Sequence, residues 1–294
     1  MNKEQIDKLK RAGEIAKQVK DFARLIVKKN VHLLEIAEKI DEKIIELGGK
    51  PAFPVNLSIN EIAAHSTPSP LDETKASGLL KVDVGVHIDG YVADSAFSVD
   101  LENSGQNKKL IEAAESALQK AMDISMIGTT MREVGFVIEK IILSYGFQPI
   151  RNLSGHSIGL YDLHSGLTVP NHDNHSEIRL KEGVYAIEPF ATSGHGRVID
   201  GKPSGIYHLE KSGNVRDAFA REVLKYIKEE YKTLPFCIRW LHKKFGSKAI
   251  IAMKRIEEAG LVHHYSQLVE ADRKPVAQAE HTIVLSEKGN FIST

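Results

Sequence analysis

Cysteine is almost missing from this chain. Its single copy, Cys237, can form no internal disulfide and no cysteine-based zinc finger. Net charge is missing too. The 39 Lys and Arg balance 39 Asp and Glu, for a formal net charge of +0 and a pI of about 7.2, so nothing steers the molecule as a whole toward nucleic acid or an acidic membrane. No apolar run approaches the roughly 20 residues that span a bilayer. The opening Met-Asn-Lys-Glu-Gln-Ile-Asp-Lys is charged where a signal peptide would be apolar. These absences predict a soluble protein of a reducing cytoplasm. The remainder is ordinary: 294 residues, 42% hydrophobic and 27% charged, give room for one large domain or two.

The richest stretch is 81–99, Lys-Val-Asp-Val-Gly-Val-His-Ile-Asp-Gly-Tyr-Val-Ala-Asp-Ser-Ala-Phe-Ser-Val. Asp83 and Asp94 flank an Asp89-Gly90 pair inside a Val-, Ile-, Tyr- and Phe-rich run, a strong two-residue hairpin signal. Positions opposed across such a hairpin have numbers of constant odd sum. Both carboxylates therefore fall on one face, directly opposed or one diagonal step apart. Taken alone, the pair reads equally well as two surface charges or as a cation site that relieves their repulsion and desolvation.

The chain also repeats itself. At an offset of 98, Glu35 matches Glu133, Ile40 matches Ile138, Gly48 matches Gly146 and Pro51 matches Pro149. After a two-residue gap, Asn56-Leu57-Ser58 matches Asn152-Leu153-Ser154. Each copy predicts an amphipathic helix stopped by Gly and followed by an extended strand through Pro. Longer helices precede them, with apolar spacing at Ile15, Val19, Phe22 and Ile26 and at Leu110, Ala114, Ala117 and Ala121. Two such halves predict a pseudo-twofold α/β (α+β) domain over 1–208 and 273–294, its halves about 1–105 and from 106 onward, with a site where they meet. Strands are expected over 181–190 and 276–285. Between them, 209–272 reads as helices over 216–231, 235–244 and 248–259 and a short wing over 262–269, a winged-helix-like insertion. Residues 232–255 hold basic side chains and no acidic ones, with Phe236, Trp240 and Phe245 as core. This suits a solvated helix surface better than a nucleic-acid face.

Further metal-ligand residue types follow the hairpin. His156 and His164 lie eight apart in a Gly-rich segment, Glu188 interrupts the apolar run Val184-Tyr-Ala-Ile-Glu-Pro, and Glu280 interrupts Ala277-Gln-Ala-Glu-His-Thr-Ile-Val-Leu. Each by itself fits a hydrogen-bonded core group. Together, Asp83, Asp94, Glu188 and Glu280 are four carboxylates in strands expected to be buried, and four unpaired buried anions would exceed a fold's stability margin. Two divalent cations would offset that charge. One imidazole with four carboxylates suits Mn, Fe(II), Co or Zn, and paired metals are a device for activating water. His87 beside the turn is expected to be solvated, and His172, His175, His263 and His264 to lie in polar loops.

On these motifs the chain resembles type 2 methionine aminopeptidases, archaeal members above all, along its whole length. The matching segments are Asn60-Glu-Ile-Ala-Ala-His65, the 81–99 hairpin, Gly155-His-Ser-Ile-Gly159 leading to His164, Ala186-Ile-Glu-Pro189 and Gln278-Ala-Glu-His281. The resemblance implies the pita-bread fold with its helical insertion, and removal of the initiator methionine before a small second residue. It implies metal binding by Asp83, Asp94, His156, Glu188 and Glu280, with Asp94 and Glu280 bridging. It implies that Glu188 handles the proton and that His65 and His164 contact the scissile amide. Phe53 and Tyr265, with Ile206 and Pro235, would form the methionine pocket, Ile206 standing where some relatives carry histidine. The implied partners are nascent polypeptide N-termini, with the ribosome as a candidate, no membrane and no specific nucleic acid; the implied state is a monomer. An X-Pro aminopeptidase or prolidase shares the metal set, but the insertion and the Gly-His-Ser-Ile-Gly segment with His164 favour the methionine enzyme. A non-enzymatic binding protein of this fold would have lost ligands that this chain keeps.

Overall fold

A computed structural model describes all 294 residues. The first half runs α1 (Lys3–Ile26), α2 (Leu33–Glu46), β1 (Lys50–Pro51), β2 (Asn56–Ile59), β3 (Ile62–Ala64), β4 (Leu79–Ile88) and β5 (Tyr91–Asp100). The second runs α3 (Gly105–Ile124), α4 (Met131–Ser144), β6 (Gln148–Pro149), β7 (Ser154–Ile158), β8 (Thr168–Pro170), β9 (Gly183–Ile187) and β10 (Phe190–Thr192). There follow β11 (Val198–Leu209), α5 (Ala218–Glu230), β12 (Phe236–Cys237), α6 (Ile238–Phe245), α7 (Lys248–Glu258) and β13 (Val262–Glu270). The chain closes with β14 (Val276–Gln278), β15 (His281–Leu285) and β16 (Phe291–Ile292).

The repeat is structural. Helices α2 and α4 each have 14 residues and start 98 positions apart. Both end at a glycine in the left-handed region, Gly48 at φ 84° and Gly146 at φ 82°, the conformation a side chain would strain. The two starts differ. Thr130 and Glu133 cap α4 reciprocally, while His32 gives α2 no side-chain cap. In the first half, β1 and β2 both pair with β4. In the second, β6 pairs with β10 and β7 with β9, so β9 and β10 together take the place of β4. They are separated by Glu188-Pro189, where the proline has no N–H for a ladder. Their partners β14 and β15 are likewise interrupted at Ala279-Glu280. Each half packs its helices on its own sheet, Ile15, Val19, Ile36 and Ile40 against Val82, Val84 and Phe97 in the first, Leu110, Ala114, Val134 and Ile138 against Tyr185, Ile187 and Ala279 in the second.

The sheets join edge to edge. Glu280 N–H donates to the Ala96 carbonyl at 3.1 Å, and Ala96 N–H donates back at 3.4 Å. The Thr282 hydroxyl accepts from Asp94 N–H and donates to the Asp94 carbonyl, both at 2.8 Å.

Helices α5–α7 build a separate core from Val223, Leu224, Ile227, Leu241, Met253 and Ile256. The small wing expected over 262–269 is instead a nine-residue strand. It pairs with β11 on one side and with β3 of the first half on the other, so the backbone groups of both its edges find partners. A buried ion pair also ties this region to the first half. Arg239 on α6 bonds Asp41 on α2, and Trp240 Nε1 donates to the same Asp41 oxygen at 2.7 Å. Replacing Arg239 with Met keeps the aliphatic stem and leaves Asp41 buried without its cation. The expected cost is about 3–5 kcal/mol of unfolding free energy in urea denaturation, and a loss below about 1 kcal/mol would show that the pair is not needed.

Candidate metal centre

Strands β4 and β5 pair along their whole length from Leu79↔Asp100 to Ile88↔Tyr91. Asp89 (φ 50°) and Gly90 (φ 87°) make the two-residue turn, the double positive φ of a type I′ hairpin. In this register Asp94 faces Gly85 and Asp83 faces Ala96. The two carboxylates are diagonal neighbours on one face. Gly85 matters here: a Cβ on it would stand 2.2 Å from the Phe53 ring, so its bare backbone lets Phe53 lie beside Asp94.

The second half brings its own pair to the same seam. Glu188 sits in the break between β9 and β10, and Glu280 in the break between β14 and β15. His156 projects from β7, its Nε2 3.5 Å from Glu188 Oε1 and 3.7 Å from Asp94 Oδ2. Ligand atoms of Asp94, His156 and Glu280 lie within 4.8 Å of one another, close enough to share an ion. Asp83 Oδ1 and Asp94 Oδ1 are enclosed and have no hydrogen-bond partner. Two orphaned carboxylate oxygens inside protein are costly unless a cation satisfies them, so the residues present fit a metal.

The electrostatics lead the same way. Burial pushes Asp83 up to about 7, partly opposed by hydrogen bonds from Gln278 and Asp94. Asp94, Glu188 and Glu280 are driven well above the usual carboxylate range, by burial first and then by the other acids of the cluster. Lys20, buried behind Glu280 with Nζ 3.4 Å from His281 Nδ1, is itself pushed down to about 8 by burial. One such cation cannot balance four carboxylates. The imidazoles go the other way. Burial, helped by His164, lowers His156 to about 3 and His65 to about 4, and burial also lowers His164. All three are neutral at pH 7, the form that ligates a metal or donates one hydrogen bond.

Above the carboxylates lies a cavity of about 330 Å³, within the range of small-molecule sites, about 300–1,000 Å³. Its lining includes all eleven residues expected from the sequence: Asp83, Asp94, His156, Glu188, Glu280, His65, His164, Phe53, Tyr265, Ile206 and Pro235. His65 follows β3 in a left-handed conformation, φ 56°, which turns its ring to an edge contact with Tyr265 at 5.1 Å. His164 stands edge-on to His156 at 4.4 Å.

Two contributors carried no role in the sequence reading. Gln278 Nε2 reaches Glu188 Oε2 at 3.4 Å and Glu280 Oε2 at 3.3 Å, and Thr282 clamps the backbone of Asp94. Their signal was closeness in the chain, since Gln278 and Thr282 each lie two positions from Glu280. Other histidines depart from expectation. His87 is buried rather than solvated, with Nδ1 accepting from Gly90 N–H at 3.1 Å and its ring against Tyr161. His263 and His264 lie on β13, not in a loop.

Residues 7–284 match metallopeptidase family M24. The methionine aminopeptidase of Pyrococcus abyssi is 47% identical over 98% of this chain and 99% of its own length, and that of Archaeoglobus fulgidus is 43% identical over the full length of both. Among solved structures, a thermophilic Arx1 superposes with a TM-score of 0.86 at 16% identity, covering 100% of this chain and 91% of its own. A methionine aminopeptidase from Thermotoga maritima superposes at 0.72 and 22% identity, covering 100% and 98%. At those identities the structural likeness speaks for the fold alone. With near-complete coverage by relatives above 40% identity, the chain belongs to metallopeptidase family M24 and groups with its methionine aminopeptidases.

Proposed function

We propose that this protein removes the initiator methionine from the N-termini of nascent polypeptides in the cytoplasm, as a monomeric dinuclear metallo-aminopeptidase. The observation that carries the reading is the convergence of four buried or half-buried carboxylates and one imidazole on the floor of a cavity walled by Phe53, Ile206, Pro235 and Tyr265. In this reading Asp83 and Asp94 from one half and His156, Glu188 and Glu280 from the other would hold two divalent ions; Co, Mn, Fe(II) and Zn suit the donor set. When bound, such a pair lowers the pKa of water and supplies a nucleophile near neutral pH. The stretch 209–272 is an insertion whose part in the reaction is to contribute Pro235 and Tyr265 to the wall.

The chain's own groups do the rest. Glu188 takes and passes the proton from an oxygen facing the cavity, while Gln278 bonds its other oxygen. His65 and His164, both neutral and with the field of His164 reaching His65, donate hydrogen bonds to the oxyanion that develops from the scissile carbonyl. The four wall residues take the thioether chain. A restriction of the second residue to small side chains is part of the same reading.

Three outcomes are expected. Protein stripped with chelator should stop releasing Met from Met-Ala-Ser, recover with Mn, Fe(II) or Co, and leave an Ala-Pro peptide untouched; cleavage that persists without metal sinks the mechanism. His65→Ala should lower kcat by about 10²–10³ at unchanged metal content, and loss of metal instead would reassign His65 as a ligand-positioning group. Metal affinity should also depend on pH. Asp83 titrates near 7 in the metal-free fold, and Asp94, Glu188 and Glu280 are raised further, whereas His156, at about 3, carries no proton to displace. At pH 6 the metal-free carboxylates therefore hold protons that ions must displace, so affinity should rise as pH climbs through 7. Calorimetry in buffers of different ionisation enthalpy should detect proton release on filling, and none would contradict the raised carboxylates.

A further inference from the structure

Two histidines that the proposed reaction does not use stand directly opposite each other on neighbouring strands. His208 on β11 and His263 on β13 are register partners, one step from the Tyr207↔His264 pair. The two pairs face opposite ways. Tyr207 belongs to the helical core and stacks on His264 at 4.0 Å, while His264 accepts from Gly205 N–H and lies 3.1 Å from Glu257. His208 and His263 turn instead toward Tyr265, with ring centroids 5.2 and 5.0 Å from it. Tyr265 lines the cavity, as does Ile206, two residues before His208. The field of His208 reaches His164 and that of His263 reaches His65, so the pair borders the cavity without being part of its lining.

The geometry of the pair suits an ion. The two ring centroids are 5.2 Å apart with planes at 44°. Two imidazoles, each bound through one nitrogen at about 2.05 Å to a tetrahedral ion, would have centroids about 5.2 Å apart. His208 Nδ1 is enclosed and bonded to nothing, whereas a buried ring nitrogen without a partner is costly. His263 is exposed, so an ion could arrive from solvent and keep water in its remaining positions. The donor set also differs in kind from the carboxylate cluster. Two imidazoles, with Glu210 the acid whose field reaches His208, suit Ni, Cu or Zn and hold Mn or Mg poorly.

We propose that His208 and His263 form a second metal site, selective for nitrogen-seeking transition ions, at the mouth of the cavity. An ion held there crowds the wall that Tyr265 and Ile206 form, so excess Ni²⁺ or Zn²⁺ inhibits the enzyme from the rim of the cavity rather than by replacing the ions below. The site lies outside the carboxylate centre and stands or falls separately from it.

The test uses full-length protein kept saturated with Mn²⁺ and titrated with Ni²⁺ by calorimetry, with bound Mn measured after each titration. Wild type should take up one Ni²⁺ beyond its retained Mn and lose peptide hydrolysis in step with that uptake. His208→Gln and His263→Gln should each weaken the added Ni²⁺ site by about tenfold or more, keep basal hydrolysis and escape inhibition. His263→Gln alters an exposed side chain, which keeps the comparison valid if His208→Gln folds poorly. Equal Ni²⁺ uptake in wild type and variants would overturn the proposal. So would Ni²⁺ entering only by displacing Mn, or a loss seen with one histidine and not the other.

Discussion

Mutual repulsion among four buried or half-buried carboxylates is the constraint around which this fold is arranged. Asp83 and Asp94 come from one half, Glu188 and Glu280 from the other, and the halves are joined where the acids meet. Glu280 and Ala96 exchange backbone hydrogen bonds across the seam, and Thr282 closes both backbone groups of Asp94. These bonds hold like charges together at a place where burial raises every one of them. Divalent cations would remove the conflict, and a seam that is costly without them would become a binding site.

The two halves reach the seam by different means. In the first, a continuous hairpin of two ten-residue strands places both aspartates by alternation alone. In the second, both strands break at the acid, at Glu188-Pro189 and Ala279-Glu280. A break releases the side chain from strict alternation and opens space above it. That asymmetry helps leave a cavity over the carboxylates, walled by Phe53 from the first half and by Ile206, Pro235 and Tyr265 from β11–β13 and the loop before β12.

Much of this could be read from the residues because it rests on local rules. Hairpin parity put Asp83 and Asp94 on one face, and the register makes them diagonal neighbours. The helix–Gly–Pro repeat reappears as α2 and α4 with matched left-handed glycines. What escaped was set by long-range packing. His87 looks solvated beside a turn, yet the Tyr161 loop closes over it. The stretch after α7 looks like a small wing, but only the fold shows β3 alongside to extend the sheet. The Arg239–Asp41 pair joins residues 198 positions apart, and no spacing rule relates them.

The central claim is that Asp83, Asp94, His156, Glu188 and Glu280 together hold two ions. Diffraction from Mn-loaded crystals at wavelengths either side of the Mn absorption edge tests it most directly. The account predicts two anomalous peaks, both enclosed by these five side chains, with Asp94 and Glu280 reaching each. A single peak, or peaks bound by other residues, would contradict it.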